Sequence, residues 1–422
     1  MSVEVTTLAN GLRVVTETMP QVETVSLGVW CDVGTRHELP GEGGNNGISH
    51  LLEHMAFKGT RRRSARALAE EIEQVGGHMN AYTGREQTAY HVALLAEDMP
   101  LGVDIIADII VDPLFDPAEL ERERGVILQE ISQAHDTPDD IIFDRFQTTA
   151  FPDQPLGLPV LGTAAHLARI DRDVLFDYRM RHYRPERMIA AAAGKVDHAA
   201  FVAEVERHLG GLAGGDPAGV EPGVYRGGEH REHRALEQVH LVLGFESVGY
   251  HDPDVYAVAV LAGLLGGGMS SRLFQEVREA RGLAYSIFAF ASTYRDSGLL
   301  SVYAGTGQND VTELVPVMLD QLGGLAGDVA ESEVDRARNQ LKSGLLMARE
   351  TSGGRCEQIA RQLAIFDRIV PQEELVARID AIDAAAIERV ARRLFAGSPS
   401  LAALGPVDRL SDYETIRSRL AA

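Results

Sequence analysis

The sequence predicts an α+β fold built as two homologous halves, each a mostly antiparallel sheet packed with helices. Three observations carry that prediction. The chain has 422 residues, 45% of them hydrophobic, enough for two or more packed cores. A seam rich in glycine and proline lies near its middle. Strand and helix signals then recur in the same order on either side. The seam is 210–228, where Gly210, Gly211, Gly214, Gly215, Gly219, Gly223, Gly227 and Gly228 join Pro217 and Pro222. Such a segment is linker chemistry and builds no core. It separates an N-terminal half, 1–209, from a C-terminal half, 229–422.

The elements follow in order. Val25–Trp30 reads as a strand, and a largely apolar helix surrounds residues 48–57. Glu70–Gly77 reads as a helix meeting glycine, and 78–95 as a strand pair turning near Gly84 and Arg85. Asp116 as N-cap, Pro117 at the first helical position and Glu119 three residues after the cap open a long helix over 117–135. The second half repeats this order. Val239–Phe245 is a strand, Leu261–Gly268 a helical stretch, Gln275–Gly282 a helix ending at glycine, 284–305 a strand pair, and 331–349 a long helix. A duplicated unit is the economical explanation.

The first half holds a feature that its repeat lacks. His50 and His54 stand four residues apart, with Glu53 just before the second. On a helix they share one face. Two imidazoles at that spacing can hold one Zn²⁺, and Glu53 beside them suits a general base for a metal-bound water. The order His-x-x-Glu-His reverses the commoner His-Glu-x-x-His and is an inverzincin signature. A loop, Gly43–Gly47, precedes it. Hydrolytic zinc needs a third protein ligand, and the long helix offers Glu123 and Glu130, seven apart on one face, with Val126, Ile127 and Ile131 on that side towards the core. Spacing alone favours an ordinary solvated Glu-rich face over a ligand. The matching places of the repeat hold Leu261–Gly268, Ala337 and Gly344.

His-Leu-Leu-Glu-His-Met-Ala-Phe-Lys-Gly-Thr at 50–60 resembles the zinc motif of the pitrilysin family of metallopeptidases, in particular its processing-peptidase branch. The resemblance covers nearly the whole chain, most closely 43–147 and 264–295. It implies one Zn²⁺ per chain held by His50, His54 and Glu130, the last lying 76 residues past His54, with Glu53 as base and Glu123 supporting the site. It implies two halves facing each other around a chamber. From the second half, Arg278 and Tyr285 would grip the peptide and stabilise the oxyanion. Phe57, Asn80 and Ala81 match substrate-contacting positions, on a strand edge to which an extended peptide can add. Asp140 and Asp144, one helical turn apart, match acidic residues that hold an arginine near the cleaved bond; two such carboxylates repel unless a cation lies between them. The implied activity is zinc-dependent endopeptidase cleavage of peptides or unfolded segments, including arginine-containing ones. A non-catalytic partner subunit or a peptide-binding protein of the same fold is the alternative.

Composition narrows the partners. The net charge is −22 and the pI near 5.0, which disfavours nucleic acid. Cys31 and Cys356 give no disulfide framework and fit a reducing compartment. The N-terminus shows no signal or targeting pattern, and no run of about 18 apolar residues marks a membrane span. These features lead to the expectation of a cytoplasmic chain; the resemblance implies a bacterial-type peptidase and, with the zinc half and the Arg278 and Tyr285 half in one chain, a homodimer, a heterodimer with a related subunit being the other option.

Overall fold

A computed structural model describes residues 3–215 and 219–420, so Pro217 and the rest of 216–218 in the expected linker lie outside the described residues. The chain forms two compact units that are not contiguous halves. One comprises Met1–Ser132, Leu158–Glu221 and Leu346–Ile369; the other comprises Gln133–Gly157, Pro222–Leu345 and Val370–Ala422.

The first unit begins with β1 (Val3–Thr7), β2 (Arg13–Thr18), β3 (Thr24–Cys31), α1 (Ile48–Ala56), α2 (Ala65–Gln74), β4 (His78–Thr83), β5 (Thr88–Leu95), α3 (Met99–Val111) and most of α4 (Pro117–Asp136). The next helix, α5 (Pro138–Ala150), belongs to the second unit. The first unit resumes with α6 (Ala164–Leu167), α7 (Arg172–His182), β6 (Met188–Gly194) and α8 (His198–Leu209). The second unit then runs through β7 (Gly228–His233), β8 (Gln238–Ser247), α9 (Val255–Gly266), β9 (Ala284–Thr293), β10 (Gly298–Gly307), α10 (Val311–Gly324) and most of α11 (Glu331–Ala348). Next, α12 (Ser352–Phe366) returns to the first unit, and α13 (Gln372–Asp380), α14 (Ala384–Phe395), β11 (Ser400–Gly405) and α15 (Tyr413–Leu420) complete the second.

The sheets run β1-β2-β6-β3-β5-β4 and β7-β11-β8-β10-β9. Among the described residues only β2–β6 and β7–β11 pair in parallel. Without β1 the two orders match strand for strand, so the duplication expected from sequence extends to the hydrogen-bonded register. Within the first unit, side chains alternate across the sheet as the pleat requires. Val25, Leu27, Val29, Tyr90, Val92 and Leu94 face the core shared with α1, α3 and α8. Trp30, Ala89, Ile189, Ala191 and Ala193 face α12, which supplies Cys356, Ile359, Ala360 and Leu363.

Two local expectations change. Val126 does not face the core: it is 39% exposed, because burial on α4 follows the seven-residue stripe Leu120, Ile127 and Ala134. The helix expected to run to Gly282 is a short π-helical turn, Phe274–Glu279, in which Ala280 N–H bonds the Gln275 carbonyl five residues back. Gly282, at φ 65°, then turns the chain towards β9.

Candidate metal centre

The helix that carries His50, Glu53 and His54 is short, and its N-terminus is held from outside. Gly47 sits at φ 94° where no side chain caps α1. The fully buried Glu38 takes that role: one carboxylate oxygen accepts from Asn46 Nδ2 and Gly47 N, each at 2.8 Å, and the other from Ser49 N at 2.9 Å. Burial pushes the Glu38 carboxyl up to about 7, against the opposing pull of those donors. Ser49 Oγ and Tyr178 OH lie 2.9 Å apart, tying the same turn to α7. Leu51, Leu52 and Met55 are buried and fix the rotation of the helix. His50, Glu53 and His54 are left on its partly open side.

On that side three donor atoms converge. His50 Nε2 and His54 Nε2 each lie 3.9 Å from Glu130 Oε2. The three groups offer ligand atoms within 4.8 Å of one another, the one cluster of this kind among the described residues. A tetrahedral Zn²⁺ with ligands at about 2.0–2.1 Å separates its donor atoms by about 3.4 Å, so small side-chain movements would complete the set. Glu130 Oε2 is buried and has no hydrogen-bond partner. An orphaned carboxylate oxygen between two imidazoles is costly unless a cation joins it. Burial and the neighbouring His54 push His50 down to about 4, which keeps it neutral and able to ligate. The residues present fit zinc.

Support comes from one side chain away. Glu123, 6% exposed, places Oε2 3.1 Å from His54 Nδ1 and Oε1 2.7 Å from Lys58 Nζ. That contact orients the His54 ring so that Nε2 points to the cluster. Glu53 Oε2 accepts from Thr83 Oγ1 at 2.5 Å. Burial raises its pKa, with the Thr83 hydrogen bond pulling the other way. The sequence reading missed Glu38, Lys58 and Thr83. Lys58, four residues past His54, carried a spacing signal; Glu38 and Thr83 carried none.

Thr83 also ties the site to a free strand edge. β4 is the outermost strand of its sheet. Gly84 N–H bonds the Gln87 carbonyl at the hairpin turn, and antiparallel alternation then directs the main-chain groups of Met79, Ala81 and Thr83 away from β5. Ala81 packs on the α1 side. Asn80 points to the opposite face, exposed, and its Oδ1 accepts from Ala81 N. Phe57 is half-buried, its ring 6.2 Å from that of Tyr90.

The second unit holds the other expected residues. Arg278 lies in the π-helical turn, its guanidinium 4.5 Å from the Tyr285 ring centroid and 4.8 Å from that of Phe274. The β9–β10 register passes from Ser286 opposite Gly305 to Ala284 opposite Thr306, making Tyr285 the extra residue of a bulge, 77% exposed. Two backbone irregularities thus present one stacked cation and phenol. Asp140, exposed, and Asp144, half-buried, stand one turn apart on α5.

Comparisons with known proteins identify the chain's relatives. A family model described as Insulinase (Peptidase family M16) matches residues 13–164, and one described as Peptidase M16 inactive domain matches residues 169–341. A Rickettsia bellii protein named as an uncharacterized zinc protease is 41% identical, over 95% of this chain and 97% of its own. The mouse mitochondrial-processing peptidase subunit beta is 39% identical, over 99% of this chain and 87% of its own. Among solved structures, a protease from Helicobacter pylori has a TM-score of 0.87 at 21% identity, over 96% of this chain and 99% of its own. A chain of Complex III2 from Candida albicans has a TM-score of 0.87 at 22% identity, over 99% of this chain and all of its own. These two structures share the fold.

Proposed function

The chain belongs to peptidase family M16, the pitrilysin family, and from that membership we propose that it is a zinc-dependent endopeptidase acting on peptides and unfolded segments. The observation that carries the proposal is the convergence of His50 Nε2, His54 Nε2 and the unpartnered Glu130 Oε2 on one point. Zinc bound by these three would supply Lewis acidity at the scissile carbonyl and lower the pKa of water there.

The chain's own residues do the rest. Glu53 removes a proton from the attacking water and returns it to the leaving amine. Its raised pKa suits holding that proton between the two steps. The Thr83 hydroxyl fixes one Glu53 oxygen and leaves the other for the proton. The outward main-chain groups of β4 bind the peptide as an added strand, beside Ala81 and Asn80, and Phe57 borders the residue after the cleaved bond. Arg278 and Tyr285 grip the peptide, and Asp140 and Asp144 favour substrates bearing arginine. The working assembly is a homodimer, which sedimentation would check.

The test is zinc stoichiometry together with cleavage of an arginine-containing peptide library, for the natural chain and for Glu53→Gln. One zinc per chain, cleavage abolished by chelator, and zinc retained without cleavage in Glu53→Gln are the expected results. A chain that binds no zinc and cuts nothing would leave the non-catalytic partner reading in its place.

A further inference from the structure

On the face of the first sheet away from α1, under the first turns of α12, lies a cavity of about 730 Å³. Ser26, Trp30 and His91 form its floor, Gly353 and Glu357 its roof, and the exposed Asn80 its mouth on β4. Apart from the β4 residues at its mouth, nothing in the proposed reaction uses it.

The duplication shows what kind of space this is. Gly194 and Gly405 close β6 and β11 at φ 129° and 119° and set the two sheets in common register. The pairs Gly28–His91–Asn80 then match Val242–Tyr303–Phe288. Glu17, opposite Ala193, matches Glu232, opposite Leu404. Each of these glutamates pairs with an arginine of the helix laid on its sheet, Glu17 with Arg355 of α12 and Glu232 with Arg145 of α5. Arg355 therefore matches Arg145, Cys356 matches Phe146, and Gly353 matches Phe143. A swap of sizes supports the match. Cys356 lies over the sheet position held by Trp30, whereas a Cβ on the corresponding Gly244 would meet the Phe146 ring at 2.6 Å.

In the second unit this space is full. The ring of Phe143 lies 6.4 Å from that of Phe288 and 5.5 Å from that of Tyr303, which are themselves 5.0 Å apart. In the first unit Gly353 replaces the central ring, and a Cβ built there would meet only Ser26 Oγ, at 3.8 Å. The fold can fill this position, and here it has not. What remains is a gap with ample room for an aromatic side chain, floored by the Trp30 and His91 rings, the setting in which aromatic side chains pack offset or edge to face.

We propose that this cavity is a specificity subsite that receives an aromatic side chain of the peptide bound along β4. It rests on the strand-addition reading above. Side chains of an added strand alternate between the faces of the sheet; those on the Asn80 face stand at the cavity mouth while their neighbours lie on the metal side.

Two measurements test it. Trp30 is the chain's one tryptophan, so its fluorescence reports the cavity without any need for catalysis. Titrating the full-length Glu53→Gln chain with a peptide bearing one phenylalanine should change Trp30 emission saturably. The same peptide with alanine in that place should not, and Gly353→Phe, which restores the ring of the second unit, should abolish the response while leaving zinc content unaltered. In library cleavage, the zinc-loaded natural chain should prefer an aromatic residue at one position by about tenfold or more over alanine. Gly353→Phe should lose that preference and still cleave the alanine peptides. An unaltered profile and an unaltered emission in Gly353→Phe would overturn the subsite, as would a preference for arginine or lysine there. An emission response without cleavage by the natural chain would refute the peptidase reading and leave the cavity assignment standing.

Discussion

Glu53, half-buried, and Glu123, buried, are carboxylates beside the same two histidines, yet their partners give them different work. Glu123 is neutralised by Lys58 and bonded to the His54 ring, so it has no free oxygen for a substrate proton. Glu53 has one neutral donor, Thr83, and keeps an oxygen open. Glu53→Gln should therefore lower kcat by about 10²–10⁴-fold with zinc content unchanged. Glu123→Gln should weaken zinc binding by about 10–100-fold, measured by competition with a chromogenic chelator. Glu38 gives the site a pH signature of another kind. Its carboxyl is raised to about 7 in the folded chain, so as pH rises from about 4.5 the unfolded chain ionises first and gains over the folded one. The natural chain should lose stability relative to Glu38→Gln between about pH 4.5 and pH 7, by on the order of 3 kcal/mol, and no further above that. Denaturant titrations across that range check it; parallel profiles for the two chains would count against the assignment.

At the scale of elements, the helix about His50, the long helix from Pro117 and both strand pairs were legible in the sequence, because each carries a local pattern: the apolar run about His50, the Asp116-Pro117 start, the turn at Gly84. Five strands escaped notice. β6, Met188–Gly194, is four alanines between Ile189 and Gly194, and its strand character comes from burial on both faces. β7 is largely charged, with no apolar alternation to reveal it. The exchange of α5 and α12 between the units was equally hidden, since nothing local in Pro138–Ala150 or Ser352–Phe366 says which sheet a helix will cover. The answer lies in long-range chemistry. Arg355 and Glu17, both almost fully buried and 338 residues apart, bond each other under α12. Arg355→Met alone strands a buried carboxylate and should cost about 3–5 kcal/mol in urea unfolding. Combining it with Glu17→Leu should recover most of that loss. If the double variant is as unstable as the single one, the pair is not what holds α12 in place.

For the molecule as a whole, the duplication left a metal-ligating cluster in one unit only among the described residues. The copy that kept His50, His54 and Glu130 has a helix N-terminus pinned by Glu38 and a strand edge next to Glu53. The other filled its corresponding cavity with Phe143 and put Arg278 and Tyr285 on irregular backbone instead. That division was legible in the sequence as a missing metal motif at Leu261–Gly268, whereas the backbone irregularities were not, because π-helical turns and bulges leave no periodic trace. Charge belongs to this scale too. With 62 acidic against 40 basic residues, the chain carries a negative field that draws cationic peptides towards it and fades as salt shortens the screening length from about 30 Å at 0.01 M to about 8 Å at 0.15 M. For a peptide with two arginines, kcat/KM should fall several-fold over that range, mostly through KM, because encounter rather than proton transfer is screened. A matched peptide with glutamines in those places should vary less than about twofold. Asp140→Asn should reduce the arginine peptide's advantage at low salt without changing the rate on the glutamine peptide. If both peptides respond to salt alike, the acidic surface serves solubility alone and arginine preference must be sought elsewhere than in Asp140 and Asp144.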